Sequence, residues 1–427
     1  MRRPGRGPTC QNGRVPAPGE QMQQSTTCVI AGGGPAGMVL GLLLARGGVP
    51  VVVMEKHADF LRDFRGDTVH ASTLRLLDEL GLGSRFEQMP HRVIDSIHMQ
   101  FQGAPIQISL RRLPGAHKHI ALVPQWDFLE LLATAAEEEP TFTLMRRSEV
   151  LGPLLRDGRV VGVRYRSADG ETREMHATLT VACDGRSSTL RSSMGLTPRS
   201  FGAPMDVWWF RVPRRSGDPR GLNGVFESGH GCAVIDRGDY FQIAYIIPKG
   251  TDDAMRAEGV EALRRRMAQL VPWLSDRVGE IASLDDVKLL DVQLNRLHRW
   301  YTDGLLLIGD AAHAMSPVGG VGINLAVADA VAAATALAGP LRAGNLRNSQ
   351  LARVQARRWI PTALIQAVQR VIHARIITAA MNDDFDHPAK PPLAVRVISK
   401  VPALGAIAGY GVAIGPLPEH APAFARR

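Results

Sequence analysis

The sequence predicts an α/β protein: a parallel sheet wound with helices and carrying an antiparallel meander, a second domain of mixed β-structure, and C-terminal helices. Three observations predict it. An apolar run at residues 26–31 enters a glycine-rich turn and then strong helix formers, the order strand, turn, helix. β-branched runs at 149–155, 160–166 and 171–176 are joined by Asp157-Gly158 and Asp169-Gly170, two hairpin signals. Alternating aromatic and β-branched strands then fill 201–300, before an apolar strand at 304–308 meets a second glycine-rich helix start.

The 427 residues leave room for two or three packed units. With 45% hydrophobic and 21% charged residues, wholesale disorder, collagen and coiled-coil rods are excluded. The formal charge is +9, yet Arg2, Arg3, Arg6 and Arg14 lie in a Pro/Gly-rich arm expected to be disordered over 1–25. That arm lacks the apolar core of a secretory signal. Only six of the cationic residues are lysine and no basic-aromatic stripe is present, so nucleic acid is not an expected partner. Cys10, Cys28, Cys183 and Cys232 lack zinc or redox spacing, so neither a metal nor disulfides are expected. The apolar stretch 393–415 is broken by Arg396, Lys400, Pro402 and glycines. It fails as a transmembrane span and leaves peripheral membrane contact open. A cytoplasmic protein is expected.

The chemistry begins at Gly32-Gly33-Gly34-Pro35-Ala36-Gly37. Gly32 permits the tight turn, Gly34 lets backbone approach a pyrophosphate, and Gly37 lets helix pack on strand. The helix N-terminus presents free N–H groups to phosphate. Glu55 closes the next strand, 18 residues beyond Gly37, where an acid accepts hydrogen bonds from an adenosine ribose. The fingerprint calls for a dinucleotide and does not distinguish NAD, NADP and FAD. Residues 64–69 read as a polar loop holding Arg65, and helices are expected over 72–81 and 126–136, the latter preceded by Gln125. A strand at 179–182 runs into Cys183-Asp184-Gly185. Strands are expected at 207–212, 231–235 and 240–247 and an amphipathic helix at 260–270. The strand 304–308 ends on Gly309-Asp310, followed by Pro317, Gly319, Gly320, Gly322, Ile323 and Asn324 and an Ala-rich helix over 325–337. Asp310 is placed to accept a polyol hydroxyl. His313, alone, reads as structural.

Taken together, the 32–37 fingerprint, Glu55, Arg65-Gly66-Asp67-Thr68, Cys183-Asp184-Gly185 and the Gly309-Asp310 block resemble the FAD-dependent aromatic hydroxylases, the single-component flavoprotein monooxygenases typified by para-hydroxybenzoate hydroxylase. The resemblance implies a FAD-binding Rossmann-like domain built from 26–90, 121–200 and 301–345. It also implies a β-sheet substrate domain from 91–120 and 201–300, and a C-terminal helical segment, 346–427. It implies FAD as cofactor, NADH or NADPH as a transient co-substrate, and transfer of one atom of O2 through a flavin hydroperoxide to an aromatic or related organic molecule, with secondary metabolism among the settings. Cofactor contacts would fall to Gly32, Gly34, Pro35, Ala36, Gly37, Glu55, Lys56, Arg65, Gln125, Asp184, Gly185, Asp310, Gly320, Gly322, Ile323 and Asn324, with Pro317 beside the reactive flavin edge. Trp208, Phe210, His230, Tyr240 and Gln242 are the candidates to line the substrate pocket. No residue identifies itself as a catalytic base. A second glycine fingerprint and a redox cysteine pair, which disulfide reductases of this fold carry, are both absent from the sequence. Two alternatives stay open: another flavin redox enzyme of the fold, a double-bond reductase or halogenase, and a catalytically silent flavin protein. Monomer and homodimer are equally open.

Overall fold

The computed structural model describes residues 24–61, 68–101, 103–227, 229–378 and 402–427. Two sheets organise them. In the first, the strands run in the order Tyr301–Thr302, Leu305–Leu307, Thr172–Ala182, Gln24–Ala31, Val51–Met54 and Phe142–Met145. Parallel pairing joins Leu305–Leu307 through Phe142–Met145, and the central strands are buried on both faces, as a sheet covered by helices requires. Helix Pro35–Arg46 and helix Gly322–Arg342 pack together on one side, and Val39, Leu43, Val327, Val331 and Leu337 belong to the same core.

One strand is longer than its sequence suggests. The run expected at 171–176 and the one at 179–182 form a single strand, Thr172–Ala182. Its first half pairs antiparallel with Arg159–Arg166, and residues 175–182 pair parallel with Gln24–Ala31. No glycine or proline interrupts residues 172–182, so nothing forces the turn that the two runs implied.

The second sheet has the order Lys288–Leu290, Met205–Pro213, Tyr240–Pro248, His230–Asp236, Leu222–Glu227, Ser96–Phe101 and Ala104–Ser109. Helix Val260–Leu270 covers one of its faces, where Leu263 and Met267 meet Phe210, Ile243 and Tyr245. A small sheet of Thr68–Val69, Ile120–Leu122 and Arg92–Ile94 lies between, so residues 68–69 are strand where a loop was expected. Helix Pro402–Ala413 comes from the apolar tail and lies along the edge strand Ala104–Ser109. Its Gly409 is where a Cβ would stand 3.2 Å from the Ser109 carbonyl oxygen. By length and composition, Gly322–Arg342 is the one helix among the described residues apolar enough to cross a membrane, and 61% of its most apolar window is buried in this fold.

Candidate active site

The glycine turn is shaped by what a side chain would strike. Gly32 has φ +104°, and a Cβ there would lie 2.4 Å from the carbonyl oxygen of Cys183; a Cβ on Gly37 would lie 1.9 Å from the carbonyl oxygen of Gly32. Gly34, by contrast, faces open space, with nothing within 4 Å of its Cβ position. It caps helix Pro35–Arg46 without a side-chain hydrogen bond, so with Pro35 at the first helical position and Ala36 buried behind it, the first-turn N–H groups remain available. Glu55 is buried at the end of Val51–Met54. Its Oε2 accepts from the Gly33 N–H at 3.0 Å and its Oε1 from the His57 N–H at 3.0 Å, which ties the turn to the strand end. Lys56 is exposed beside it, Gln125 opens helix Gln125–Glu137 half-buried, and Arg65 lies outside the described residues.

Two distant stretches close on this turn. Cys183 continues the strand after Ala182 and donates its N–H to the Ala31 carbonyl at 2.8 Å. Asp184 follows, its Oδ2 accepting from the Leu190 N–H at 3.2 Å, and Gly185 turns at φ +82°. Burial pushes the Asp184 carboxyl above the usual carboxylate range, against hydrogen bonds from Ser188 and nearby backbone. From the other direction, Ile308 donates to the Ala182 carbonyl, and Gly309 turns at φ +58° against Ala36. Asp310 then ion-pairs through Oδ2 with Arg186 Nε at 3.1 Å, while Arg191 donates to the carbonyl of Ala311 at 3.1 Å. The fingerprint, Asp184-Gly185 and Asp310 are therefore brought together. Arg186 joins them unforeseen, its one signal being its place directly after Gly185.

Beneath the Asp310 turn is a charge network absent from the sequence reading. Asp329, fully buried in the Ala-rich helix Gly322–Arg342, accepts from the Gly309 N–H at 3.0 Å. It also meets His313 Nε2 at 2.6 Å and Arg358 Nε at 3.0 Å. Burial opposes its charge, but His313 and Arg358 outweigh it and hold the carboxyl below the ordinary range. Arg358 continues to Glu419 at 3.3 Å.

Residues 317–324 form the remaining wall. Gly319 and Gly320 turn at φ +84° and +62°, and the Gly320 carbonyl accepts from Thr68 Oγ1 at 3.0 Å. Helix Gly322–Arg342 starts without a side-chain cap, leaving the N–H groups of Gly322, Ile323 and Asn324 outside the helical ladder. The Asn324 side chain turns the other way, its Oδ1 accepting from Thr73 Oγ1 at 2.6 Å and the His70 N–H at 3.3 Å. His70, another residue the sequence did not single out, is fully buried beside Gly320, and burial lowers its pKa to about 4. A neutral ring must donate from Nδ1 to the Val412 carbonyl, 2.7 Å away, leaving Nε2 as the acceptor.

The five pocket candidates separate onto two faces of the second sheet. Register pairs Trp208 with Tyr245 and Arg211 with Gln242, and directly paired residues share a face. Trp208 and Phe210 are fully buried toward helix Val260–Leu270, with the Trp208 indole donating to Asp252 at 2.6 Å. His230 lies on that side too, its Nδ1 2.8 Å from the Tyr245 hydroxyl. Trp208 and Phe210 thus pack the sheet against its covering helix rather than facing an open pocket, and His230 lies half-buried on the same side. Tyr240 and Gln242 take the opposite face, Tyr240 beneath Arg211 and Gln242 accepting from Arg237 Nε at 2.8 Å. Trp209 belongs with them, beside Ile94, Leu122 and Ile235, its indole N–H buried without an acceptor among the described residues.

The donor set fits a dinucleotide. An open approach at Gly34, two uncapped helix starts and a buried acid at the second strand end are what a pyrophosphate, a conjugated ring and a ribose require. The family described as FAD binding domain matches residues 25–367. The 6-methylpretetramide 4-monooxygenase of Streptomyces rimosus is 32% identical over 393 residues, covering 91% of this chain and 92% of that enzyme. The 12-dehydrotetracycline 5-monooxygenase/anhydrotetracycline 6-monooxygenase of Streptomyces rimosus subsp. rimosus is 29% identical over 328 residues; the match covers 71% of this chain but 60% of that longer protein. Among solved structures, p-nitrophenol 4-monooxygenase PnpA from Pseudomonas putida DLL-E4 superposes with a TM-score of 0.75 at 20% identity, over 91% of this chain and 97% of that one, a likeness of fold.

Proposed function

Because the chain belongs to the FAD-dependent aromatic hydroxylase family, and is a FAD-dependent monooxygenase, we propose that it hydroxylates a fused-ring aromatic polyketide. The substrate class draws its support from the two Streptomyces relatives, which are named for 6-methylpretetramide and for 12-dehydrotetracycline and anhydrotetracycline. The balanced reaction is substrate–H + O2 + NAD(P)H + H⁺ → substrate–OH + H2O + NAD(P)⁺. FAD, when bound, supplies the electron storage and oxygen activation that no side chain can. A cytoplasmic setting supplies the reduced nicotinamide.

The chain's own residues bind, orient and exclude water. Free N–H groups at the start of Pro35–Arg46 take up the pyrophosphate charge, and Gly32, Gly34 and Gly37 keep the approach clear. Glu55 accepts from the adenosine ribose, and the exposed Lys56 beside it adds positive charge. Gln125, Asp184-Gly185 and Asp310 address the linking chain, with Arg186 fixing the Asp310 carboxylate. The N–H groups of Gly322, Ile323 and Asn324 would stabilise negative charge on the bound ring system, and Gly320 and Pro317 would lie at its edge. Trp209, Tyr240 and Gln242 face the substrate, and the apolar sheet around them keeps water from the reacting oxygen.

One observation carries this reading: three stretches more than a hundred residues apart meet at Gly32, Cys183-Asp184 and Gly309-Asp310. The test is to purify the protein with FAD and follow NADH and NADPH oxidation with and without tricyclic and tetracyclic phenols. Stoichiometric FAD and phenol-stimulated oxygen consumption are expected. Protein that cannot be loaded with FAD, or oxidation indifferent to every phenol tried, would refute the proposal.

A further inference from the structure

Helix Asn348–Ile372, with the turn that continues it, directs a polar edge inward that the reaction above leaves unused. Gln366, Gln369 and His373 recur at spacings of three and four and share one helix face. All three are buried, at 1%, 3% and 4% exposure. Gln369 makes three hydrogen bonds to one short stretch: Oε1 accepts from the Ser316 N–H at 3.2 Å, and the amide donates to the carbonyls of Ser316 at 3.0 Å and Val318 at 2.9 Å. Turning that amide over would oppose donor to donor and acceptor to acceptor, so the network itself fixes its orientation. His373 Nε2 lies 2.8 Å from Ser316 Oγ, which accepts from the Val318 N–H at 3.3 Å. One turn earlier, Gln366 donates to the carbonyls of Asn295 at 2.8 Å and Ala314 at 3.2 Å.

Pro317 stands between the two residues that Gln369 holds. It has no N–H with which to anchor itself. Its carbonyl accepts from the Gly320 N–H at 2.9 Å, so the double-glycine turn hangs from the same stretch.

We infer that Gln369 is a positioning residue for the hydroxylation: it sets the backbone of residues 316–318 and, through Pro317, the distance between this loop and the reacting edge of the cofactor. The inference rests on the proposed place of Pro317 at that edge. A wall that seals out water must sit at the right distance, and a displacement of about 1 Å can cost two orders of magnitude in a productive step. Electron uptake from the nicotinamide makes no such demand on this loop. Loosening it diverts electrons from substrate–H + O2 + NAD(P)H + H⁺ → substrate–OH + H2O + NAD(P)⁺ into O2 + NAD(P)H + H⁺ → H2O2 + NAD(P)⁺, which balances without substrate.

The experiment compares wild type, Gln369→Leu and Gln369→Glu at matched FAD content. It records product formed per NAD(P)H oxidised, H2O2 released, and the visible absorbance of bound FAD against pH. Gln369→Leu should keep FAD and nicotinamide oxidation while product per NAD(P)H falls at least about fivefold and H2O2 rises to match. In Gln369→Glu the protonated carboxyl still offers one donor, whereas the ionised form turns only acceptors on two carbonyls. Coupling and the flavin spectrum should therefore titrate in that variant, with coupling better at low pH, and not in Gln369→Leu. Coupling and spectra equal to wild type in both variants would overturn the inference, as would loss of folding in both, which would assign Gln369 to general stability. If the wild type hydroxylates no phenol and the flavin spectrum of Gln369→Glu still titrates, the proposed reaction fails while the loop placement stands. If neither occurs, both fail.

Discussion

Replacing Asp329 with alanine removes the one carboxylate shared by Gly309, His313 and Arg358. Its magnitude follows from what each partner keeps. Arg358, 1% exposed, retains Glu419 at 3.3 Å, so its charge is weakened rather than abandoned. The Gly309 N–H loses its acceptor in a buried turn, worth about 1–3 kcal/mol. Breaking a buried pair from one side costs about 3–5 kcal/mol, and the surviving Glu419 contact sets the expectation at the lower end, about 3 kcal/mol. At a urea dependence of about 3 kcal/mol per M, the unfolding midpoint should fall by about 1 M. The folded pKa of Asp329 is depressed, so its stabilisation is complete above the unfolded carboxylate value of about 4 and is lost only as pH falls through the lower, folded value. Titration of the Asp329 carboxyl itself should therefore add no slope to the difference between wild type and variant from pH 6 to 8. Because Gly309 carries Asp310, FAD retained after gel filtration should fall together with the midpoint. Unchanged midpoint and stoichiometric FAD in Asp329→Ala would refute the claim that this network holds the turn.

Glu55→Ala should weaken FAD binding by about 1.5–3 kcal/mol, roughly 10- to 150-fold in Kd by fluorescence titration, since the ribose acceptor and the tie to the Gly33 N–H vanish together. His70 is held neutral, with a folded pKa near 4 against about 6.5 unfolded, so wild type should lose up to about 3 kcal/mol of stability as pH drops from 6.5 to 4. His70→Gln should flatten that acid limb in denaturant titrations, and an unchanged slope would contradict the assignment. Trp209→Phe should alter KM or product regiochemistry with little change in melting temperature, whereas Trp208→Phe should lower the melting temperature and leave regiochemistry alone. The reverse pattern in calorimetry and product analysis would show the sheet faces to be misassigned.

The glycine fingerprint was legible because its constraint is local: at Gly32 and Gly37 a single Cβ collides with backbone, so the residue type itself announces the geometry. The order of motifs along the chain was legible for the same reason, each being a strand end followed by a turn. Asp329 was not. It is an acid in an Ala-rich helix, and its partners His313 and Arg358 come from other elements. The sheet face escaped as well. Trp208 and Trp209 are adjacent and chemically alike, and what separates them is the side on which helix Val260–Leu270 packs, a choice made some fifty residues later. Leu222–Glu227 shows the same limit: its glycine and asparagine argue against a strand, and parallel pairing with Ser96–Phe101 overrides them. Nothing in the sequence marks Gln366 and Gln369 among the polar positions of a long helix, because the loop they bind comes from another element.

The most direct measurement is mass spectrometry of the product formed from a tetracyclic phenol under ¹⁸O2 with NADH or NADPH. A single labelled oxygen on the ring, one per nicotinamide oxidised in the coupled reaction, is the result this account predicts. Product oxygen drawn from water, or turnover that adds none, would contradict it.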